Sequence, residues 1–333
     1  MKASTTVARH RASRAFARIT CACVLAICAG QSASAAIPAG ERQALLGLYN
    51  ETGGPSWFDN LGWGGAPGTE CEWVHVICND EGTHVVELYL FGNELTGTLP
   101  PLDNLTALQA LVVNYNKLHG TIPDLSGLAE LVAVNVVGNQ FVGNIPALPT
   151  GIHFFAANDN LLTGSIPLLS AYPELTTFWV SRNHLTGEIP SLSDLHALFS
   201  FYVDDNDLNG AVPALKGLTM LSQFNASANR LTGPLPALAD TPNLDLFDVR
   251  GNDLTGTMPP FGDLPFLQTF NVDHNQLTGP PPPGPLPPQL RAVICPNFLD
   301  HVESEIWDMA TGITPWYRDC VLPDAVFANG FEL

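Results

Sequence analysis

Basic residues are scarce in this chain. Thirteen Lys and Arg stand against 32 Asp and Glu in 333 residues, a net charge of −19. A phosphate binder needs a basic face, so this balance argues against nucleic acid as a partner. Long apolar runs are also missing. The one near the start, residues 19–29, falls well short of the roughly 20 residues that span a bilayer. Cysteine is sparse, at seven. What the chain does hold is 29 Gly, 28 Pro and 46 % hydrophobic residues, too apolar for a disordered acidic tail and rich in turn formers.

Residues 1–36 read as an export address. Lys2, Arg9, Arg11, Arg14 and Arg18 form a positive stretch without an acid, the short apolar run follows, and Ala33-Ser34-Ala35 offers a small-residue cleavage site. Cleavage would leave 8 basic against 32 acidic residues, a net charge of −24. The mature chain is then expected to be soluble, without a membrane span, and secreted or held at the cell surface. Such a surface repels anionic lipid and favours basic partners.

Cysteine usage fits that compartment. Cys21, Cys23 and Cys28 would leave with the leader, and four remain, which allow three connectivities. Cys71–Cys78 and Cys295–Cys320 are the expected pairs, because some 217 residues separate the inner two and a rod-like array would hold its ends apart. The chain-entropy estimate is roughly 2.5 kcal/mol for the short loop and 3.5 kcal/mol for the longer one. Neither spacing is that of a zinc knuckle.

Between those pairs the sequence repeats. Asn93, Asn116, Asn139, Asn160, Asn183, Asn206, Asn229, Asn252 and Asn275 recur every 23 residues, apart from one gap of 21. A glycine follows each Asn by four positions, from Gly97 to Gly279, and a proline follows by seven, from Pro100 to Pro282.

Each slot has a physical reading. Five and three residues before the Asn the chain is apolar, as in Leu88/Leu90, Leu111/Val113 and Phe178/Val180. That period of two predicts a short strand with one buried face. The Asn amide, with donors and an acceptor, can satisfy backbone groups of adjacent coils that would otherwise be buried unpaired, which predicts an Asn ladder. Gly and Pro then turn the chain. A helical turn or 3₁₀ piece, such as residues 124–128, is expected to return it to the next strand. From the fourth repeat the slot five before the Asn is always Phe: Phe155, Phe178, Phe201, Phe224, Phe247 and Phe270. Stacked at about 4.8 Å, these rings would make a continuous spine. One coil cannot bury its own apolar face, so stability must come from its neighbours.

The pattern L-x-x-L-x-x-L/F-x-V-x-x-N-x-L-T-G-x-I-P resembles the plant-type leucine-rich repeat of receptor-like kinase ectodomains and polygalacturonase-inhibiting proteins. The resemblance covers about residues 80–299, counting a degraded tenth coil at Asn297-Phe298-Leu299. It implies an α/β solenoid: a right-handed superhelix with a parallel concave sheet, 3₁₀ or short-helix segments on the convex side, and a disulfide-linked cap at each end. Upstream, a helical pattern at residues 41–49, then Trp57, Trp63 and Cys71-Glu72-Trp73-x-x-Val76-x-Cys78, looks like the N-terminal cap of that family, with His75 where it carries Gly. The 23-residue coil is one shorter than the usual plant repeat, and residues 324–333 resemble a short tag on secreted bacterial proteins, so a bacterial source is expected. The implied layout is a leader at 1–36, an N-terminal cap at 37–80, about ten coils at 81–299, a C-terminal cap at 300–323 and a tail at 324–333. No kinase or transmembrane segment follows in this sequence, so only an extracellular recognition role carries over.

Recognition is expected on the concave face, at positions four, two and one before each Asn. Exposed aromatics beside Arg are the types enriched in binding hot spots. The predicted contact patch is Tyr89, Phe91, Tyr115, Trp179, Arg182, Tyr202, Asp204 and Asp205. A secreted protein-binding module, an inhibitor or interaction factor with a basic partner, is the favoured reading. A polysaccharide-binding or structural envelope component is the alternative. No cofactor, metal or catalytic residue is assigned. Asp205-x-Asp207-x-Asn209-Gly210 opens like a calcium loop but has Lys216 at the twelfth position. The nine His are scattered, without a G-x-S-x-G elbow or an H-E-x-x-H helix. Asn50, Asn104 and Asn225 open glycosylation sequons, meaningful only in a eukaryotic host. Residues 280–288 hold seven prolines and Gly284, which predicts a stiff excursion at the end of the regular array.

Overall fold

The computed structural model describes residues 36–320 except Asp263. The predicted tail and all but the last residue of the predicted leader lie outside the described residues. One sheet organises the chain. It has eleven strands, and all but the first, Val76–Cys78, run parallel in sequence order. Val76–Cys78 lies antiparallel to Val85–Tyr89. The strands that follow are Ala110–Val112, Ala133–Asn135, Phe154–Ala156, Thr177–Trp179, Ser200–Tyr202, Gln223–Asn225, Leu246–Asp248, Thr269–Asn271 and Arg291–Val293. Equivalent residues pair directly, so Phe178 opposes Phe155 on one side and Phe201 on the other. The fixed repeat length aligns every slot with its copy, and like stacks on like.

The inner face is closed by those stacks. All six spine phenylalanines have no exposed surface, and successive rings lie 5.6 to 5.8 Å apart with interplanar angles of 15° to 26°. The separation exceeds the strand spacing because the rings are offset. Beside them runs the Asn ladder. Asn183 Nδ2 donates to the carbonyls of Ala157, Val180 and Ser181 at 3.0 to 3.2 Å, and Leu162 N donates to its Oδ1 at 2.9 Å. One side chain thus ties two coils. Asn297, in the degraded tenth coil, is the last rung, accepting from Leu277 N at 2.9 Å. The first rung differs: Asn93 bonds Asp59 N and Asp59 O, at 2.7 and 2.9 Å, and so anchors the N-terminal cap.

The returning side departs from expectation. Within the array Leu169–Ala171 is the only 3₁₀ segment among the described residues. Elsewhere, residues 124–128 included, isolated turns close the coil, as where Leu128 N donates to Leu125 O at 3.0 Å. The Leu-Thr-Gly stretches instead form second-face sheets of four, two and four strands, Thr96–Thr98 being the first strand. With two strands and a proline in each short coil, too few residues remain for a helix. Gly97 lies on this face with φ 82°, and a Cβ there would sit 2.1 Å from the Glu51 carbonyl, so the glycine lets the array meet the cap.

Both ends are sealed. At the N-terminus helix Ala39–Glu51 buries Ala44, Leu45 and Leu48 on one side. Buried Glu41 accepts from Val85 N at 2.8 Å and faces His84 Nδ1 at 2.6 Å. Trp57, Trp63 and Trp73 pack with ring centroids 4.8 and 5.2 Å apart, each indole N–H donating to a neighbour. Cys71–Cys78 closes this cap. At the other end helix Glu305–Thr311 covers the last strand, Cys295–Cys320 joins the chain just past that strand to the end of the 3₁₀ turn Trp316–Asp319 that follows the helix, and Trp307 Nε1 donates to Pro282 O at 3.0 Å, fixing the proline-rich excursion.

Candidate functional site

The open face of the main sheet carries the side chains that alternate with the core. Residues five and three before each Asn point inward, so those six, four and two before it point outward. The residue just before the Asn also projects, because the chain turns there through left-handed backbone: Tyr115, Asp159, Arg182, Asp205, Ala228 and His274 have φ between 51° and 56°.

The eight predicted contact residues fall in two groups. Tyr89, Phe91 and Tyr115, 36 %, 60 % and 65 % exposed, occupy the first two coils. Trp179, Arg182, Tyr202, Asp204 and Asp205 occupy the fifth and sixth. Three strand spacings, about 14 Å, separate Tyr115 from Trp179, and between them Val137 and Ala156 are buried. A single continuous patch does not form.

The central group is an interlocked cluster. Trp179 meets Tyr202 edge-on at 6.0 Å and Phe154 edge-on at 5.6 Å. Its Nε1 donates to Ser200 Oγ at 2.7 Å, and Ser200 Oγ donates to Gln223 Oε1 at 3.2 Å. Phe154, Ser200 and Gln223 stand six before their Asn, a column the predicted face left out. One further step of the same alternation identifies it.

Charge in this region is not laid out as predicted. Asp204, expected to face solvent, is buried, and Ser181 Oγ donates to it at 2.5 Å. Burial raises its pKa above the usual carboxylate range, and Asp205 adds to this, while the Ser181 hydroxyl and Arg182 pull it back. Asp248, equally closed in, is raised by burial and by Asp273, and lowered by Asn271 and Arg250. Burial also raises the Tyr202 phenol, helped by the fields of Asp204, Asp245 and Asp248. Arg182 is spoken for: its guanidinium grips Asp159 with Nε and a terminal nitrogen, which raises its pKa. The surroundings of Tyr202 are therefore anionic, and Arg182, beside Asp204, is already paired with Asp159.

Among the described residues no group of three His, Cys, Asp or Glu is placed to hold a metal ion. In the calcium-loop lookalike, Asp207 takes Arg230 as its partner and Asn206 serves the ladder.

Solved structures with the same fold are numerous, and three are instructive. The ectodomain of the Arabidopsis thaliana receptor kinase GASSHO1/SCHENGEN3, in complex with Casparian strip integrity factor 2, is 27 % identical over 78 % of this chain and 36 % of its own, with a TM-score of 0.65. A TDR receptor is 28 % identical over 61 % of this chain and 37 % of its own, with a TM-score of 0.57. A plant ice-binding protein is 24 % identical over 79 % of this chain and 80 % of its own, with a TM-score of 0.55, and shares the fold alone. The chain thus spans little more than a third of the length of the two receptors. No protein-family model matches the sequence, and no curated protein does. The fold is that of the leucine-rich repeat, a solenoid of about ten turns, and these neighbours support the leucine-rich-repeat resemblance.

Proposed function

We propose that this protein is a secreted, non-enzymatic module that binds a protein or peptide on the open face of its main sheet. The observation that carries the reading is the Phe154–Trp179–Tyr202 cluster beside Asp204: semi-rigid aromatic surface in anionic surroundings, the composition of a binding hot spot for a basic partner. The GASSHO1/SCHENGEN3 ectodomain, whose fold it shares, is itself in complex with Casparian strip integrity factor 2. Secretion is supported by the leader pattern and by two disulfides near the ends of the described region. An inhibitory role and a bacterial source belong to the same proposal, the second on the 23-residue coil and the residues at 324–333.

The second reading, polysaccharide binding, draws on Tyr89, Phe91 and Tyr115, which expose aromatic surface at the N-terminal end. A pull-down against secreted proteins, run beside a glycan array, separates the two. Protein capture that weakens with salt and fails in Trp179→Ala and Tyr202→Ala supports the first. Glycan retention that fails only in Tyr115→Ala or Phe91→Ala replaces it with the second.

A further inference from the structure

A cavity of about 850 Å³ lies at the far end of the open face, between residues 285–290, the helix Glu305–Thr311 and the last two strands of the main sheet. That volume is within the range of about 300 to 1,000 Å³ that small-ligand sites occupy. Its sides are mainly apolar, with Leu286, Leu290, Val293, Ile306 and Met309 lining it beside prolines of the excursion. Those walls are held in place. Trp307 Nε1 donates to Pro282 O at 3.0 Å, Leu290 N donates to Pro287 O at 3.1 Å, and a Cβ on Gly284 would sit 2.9 Å from Ile306 Cδ1, so the excursion lies hard against the helix. Pro285, Pro287 and Pro288 fix φ along it. A cavity set in advance needs little ordering when a ligand enters.

A single charge lines this hollow, and it is Arg291. The residue stands opposite Thr269 on the last strand, with the outward phase that Asn271 and Val293 share, so these four make the floor. No carboxylate lines the cavity among the described residues. That isolation is unusual in this molecule. Arg42, Arg182, Arg230, Arg250 and Arg318 each stand against a carboxylate, and Arg291 is the only described arginine that does not. The buried open-face acids of the adjoining coils are committed elsewhere. Asp248 accepts from Arg250 N at 3.2 Å and from Asn271 Nδ2 at 2.8 Å, and Asp273 faces His274 Nδ1 at 2.7 Å. Two of the other polar lining groups are also engaged: Asn271 gives its Nδ2 to Asp248, and Thr311 Oγ1 donates to Trp307 O at 2.8 Å.

We infer that this cavity is a site for a small apolar carboxylic acid. The hydrocarbon body lies against the five apolar side chains, and the carboxylate accepts N–H donors from the Arg291 guanidinium, whose planar fork matches it. The ligand is an anion because the one charge on the cavity is a cation without an acid of its own. Its body is apolar because the sides are, with few free polar groups to serve a sugar. The site lies apart from the protein-binding reading and uses none of Phe154, Trp179 and Tyr202.

Calorimetric titration of the whole protein with octanoate tests this, with octanol and octylammonium as neutral and cationic probes of the same apolar body. The expected result is one saturable octanoate site, octanol weaker by about tenfold or more, and octylammonium unable to displace octanoate. Arg291→Gln, at an exposed position, should weaken octanoate about tenfold or more and bring it level with octanol, whereas Arg291→Lys keeps the preference for the anion. Val293→Asp, which sets a carboxylate on the floor, should abolish octanoate binding. Far-UV circular dichroism checks that each variant keeps its sheet. Absence of a saturable octanoate site overturns the inference. So does octanol binding as tightly as octanoate, or an octanoate affinity unchanged in Arg291→Gln or Val293→Asp. Loss of octanoate in Trp179→Ala would move the ligand to the central face and overturn it as well. Failure of protein capture at the central face leaves this site standing, since the two share no residue.

Discussion

Trp179 Nε1 donates to Ser200 Oγ at 2.7 Å, and that bond between neighbouring strands fixes how the indole stands on the open face. Trp179→Ala and Tyr202→Ala are each expected to weaken partner binding by more than about 1 kcal/mol. Ser200→Ala should shift Trp179 fluorescence and cost less affinity, because the ring remains but is no longer held. Calorimetric titration of the three variants checks the order, and equal affinity throughout would remove the cluster from the interface.

The Asn ladder predicts a large effect from a small deletion. Asn183→Ala removes one of the two donors to each of the Ala157, Val180 and Ser181 carbonyls and leaves the buried Leu162 amide without its acceptor. The expected loss is about 1 to 3 kcal/mol of unfolding free energy, the cost of orphaning one buried donor. Denaturant titration measures it.

In the spine, Phe224 lies between Phe201 and Phe247 with centroids 5.6 Å away on each side. Phe224→Ala should cost about 3 to 5 kcal/mol. Phe224→Leu, which leaves a smaller void, should cost less than half of that. Similar midpoints for the two variants in urea would mean the stack is not the core.

Backbone handedness offers a gain. His75 at φ 71° and Ala228 at φ 51° occupy a region that suits glycine. Left-handed backbone costs an L-residue roughly 1 to 2 kcal/mol, and glycine returns part of this through its freer unfolded chain, roughly 0.5 to 1 kcal/mol. His75→Gly and Ala228→Gly should therefore each stabilise by about 0.5 to 1 kcal/mol. Gly97→Ala, by contrast, should destabilise strongly, because its Cβ would meet the Glu51 carbonyl.

Asp204 and Asp248 are raised by burial, so the folded state holds their protons to higher pH than the unfolded chain does. Their contribution is unfavourable above the raised folded pKa and is relieved as the pH falls through it towards the unfolded value near 3.9. These two sites should thus offset part of the acid destabilisation of the molecule. In Asp204→Asn and Asp248→Asn the stability should fall more steeply over that window than in the parent chain. Thermal unfolding across a pH series reads the slope, and parallel curves would contradict it.

Much of this architecture was legible in the residues themselves. The Asn, Gly and Pro slots and the Phe column recur at one spacing, and each occupant suits a stacked strand and turn. His75 shows the same logic in reverse, since the place where the related cap carries Gly has positive φ. The contact patch was less legible. Asp204 has an outward phase, yet it is buried and Ser181 of the neighbouring coil bonds it, and Phe154 and Ser200 matter only through what Trp179 does with them.

Taken alone, the sequence determined that coils must stack, because no 23-residue unit can bury its own Leu, Val and Phe face or satisfy its own turn. Tertiary structure decided which outward positions stay open, and it made the cavity beside Val293 and Met309. That hollow is formed by the proline-rich excursion, the last strands and the terminal helix, segments that do not repeat. Their mutual placement is set by Trp307 on Pro282 and by Cys295 on Cys320, contacts across some 25 residues that no local periodicity encodes.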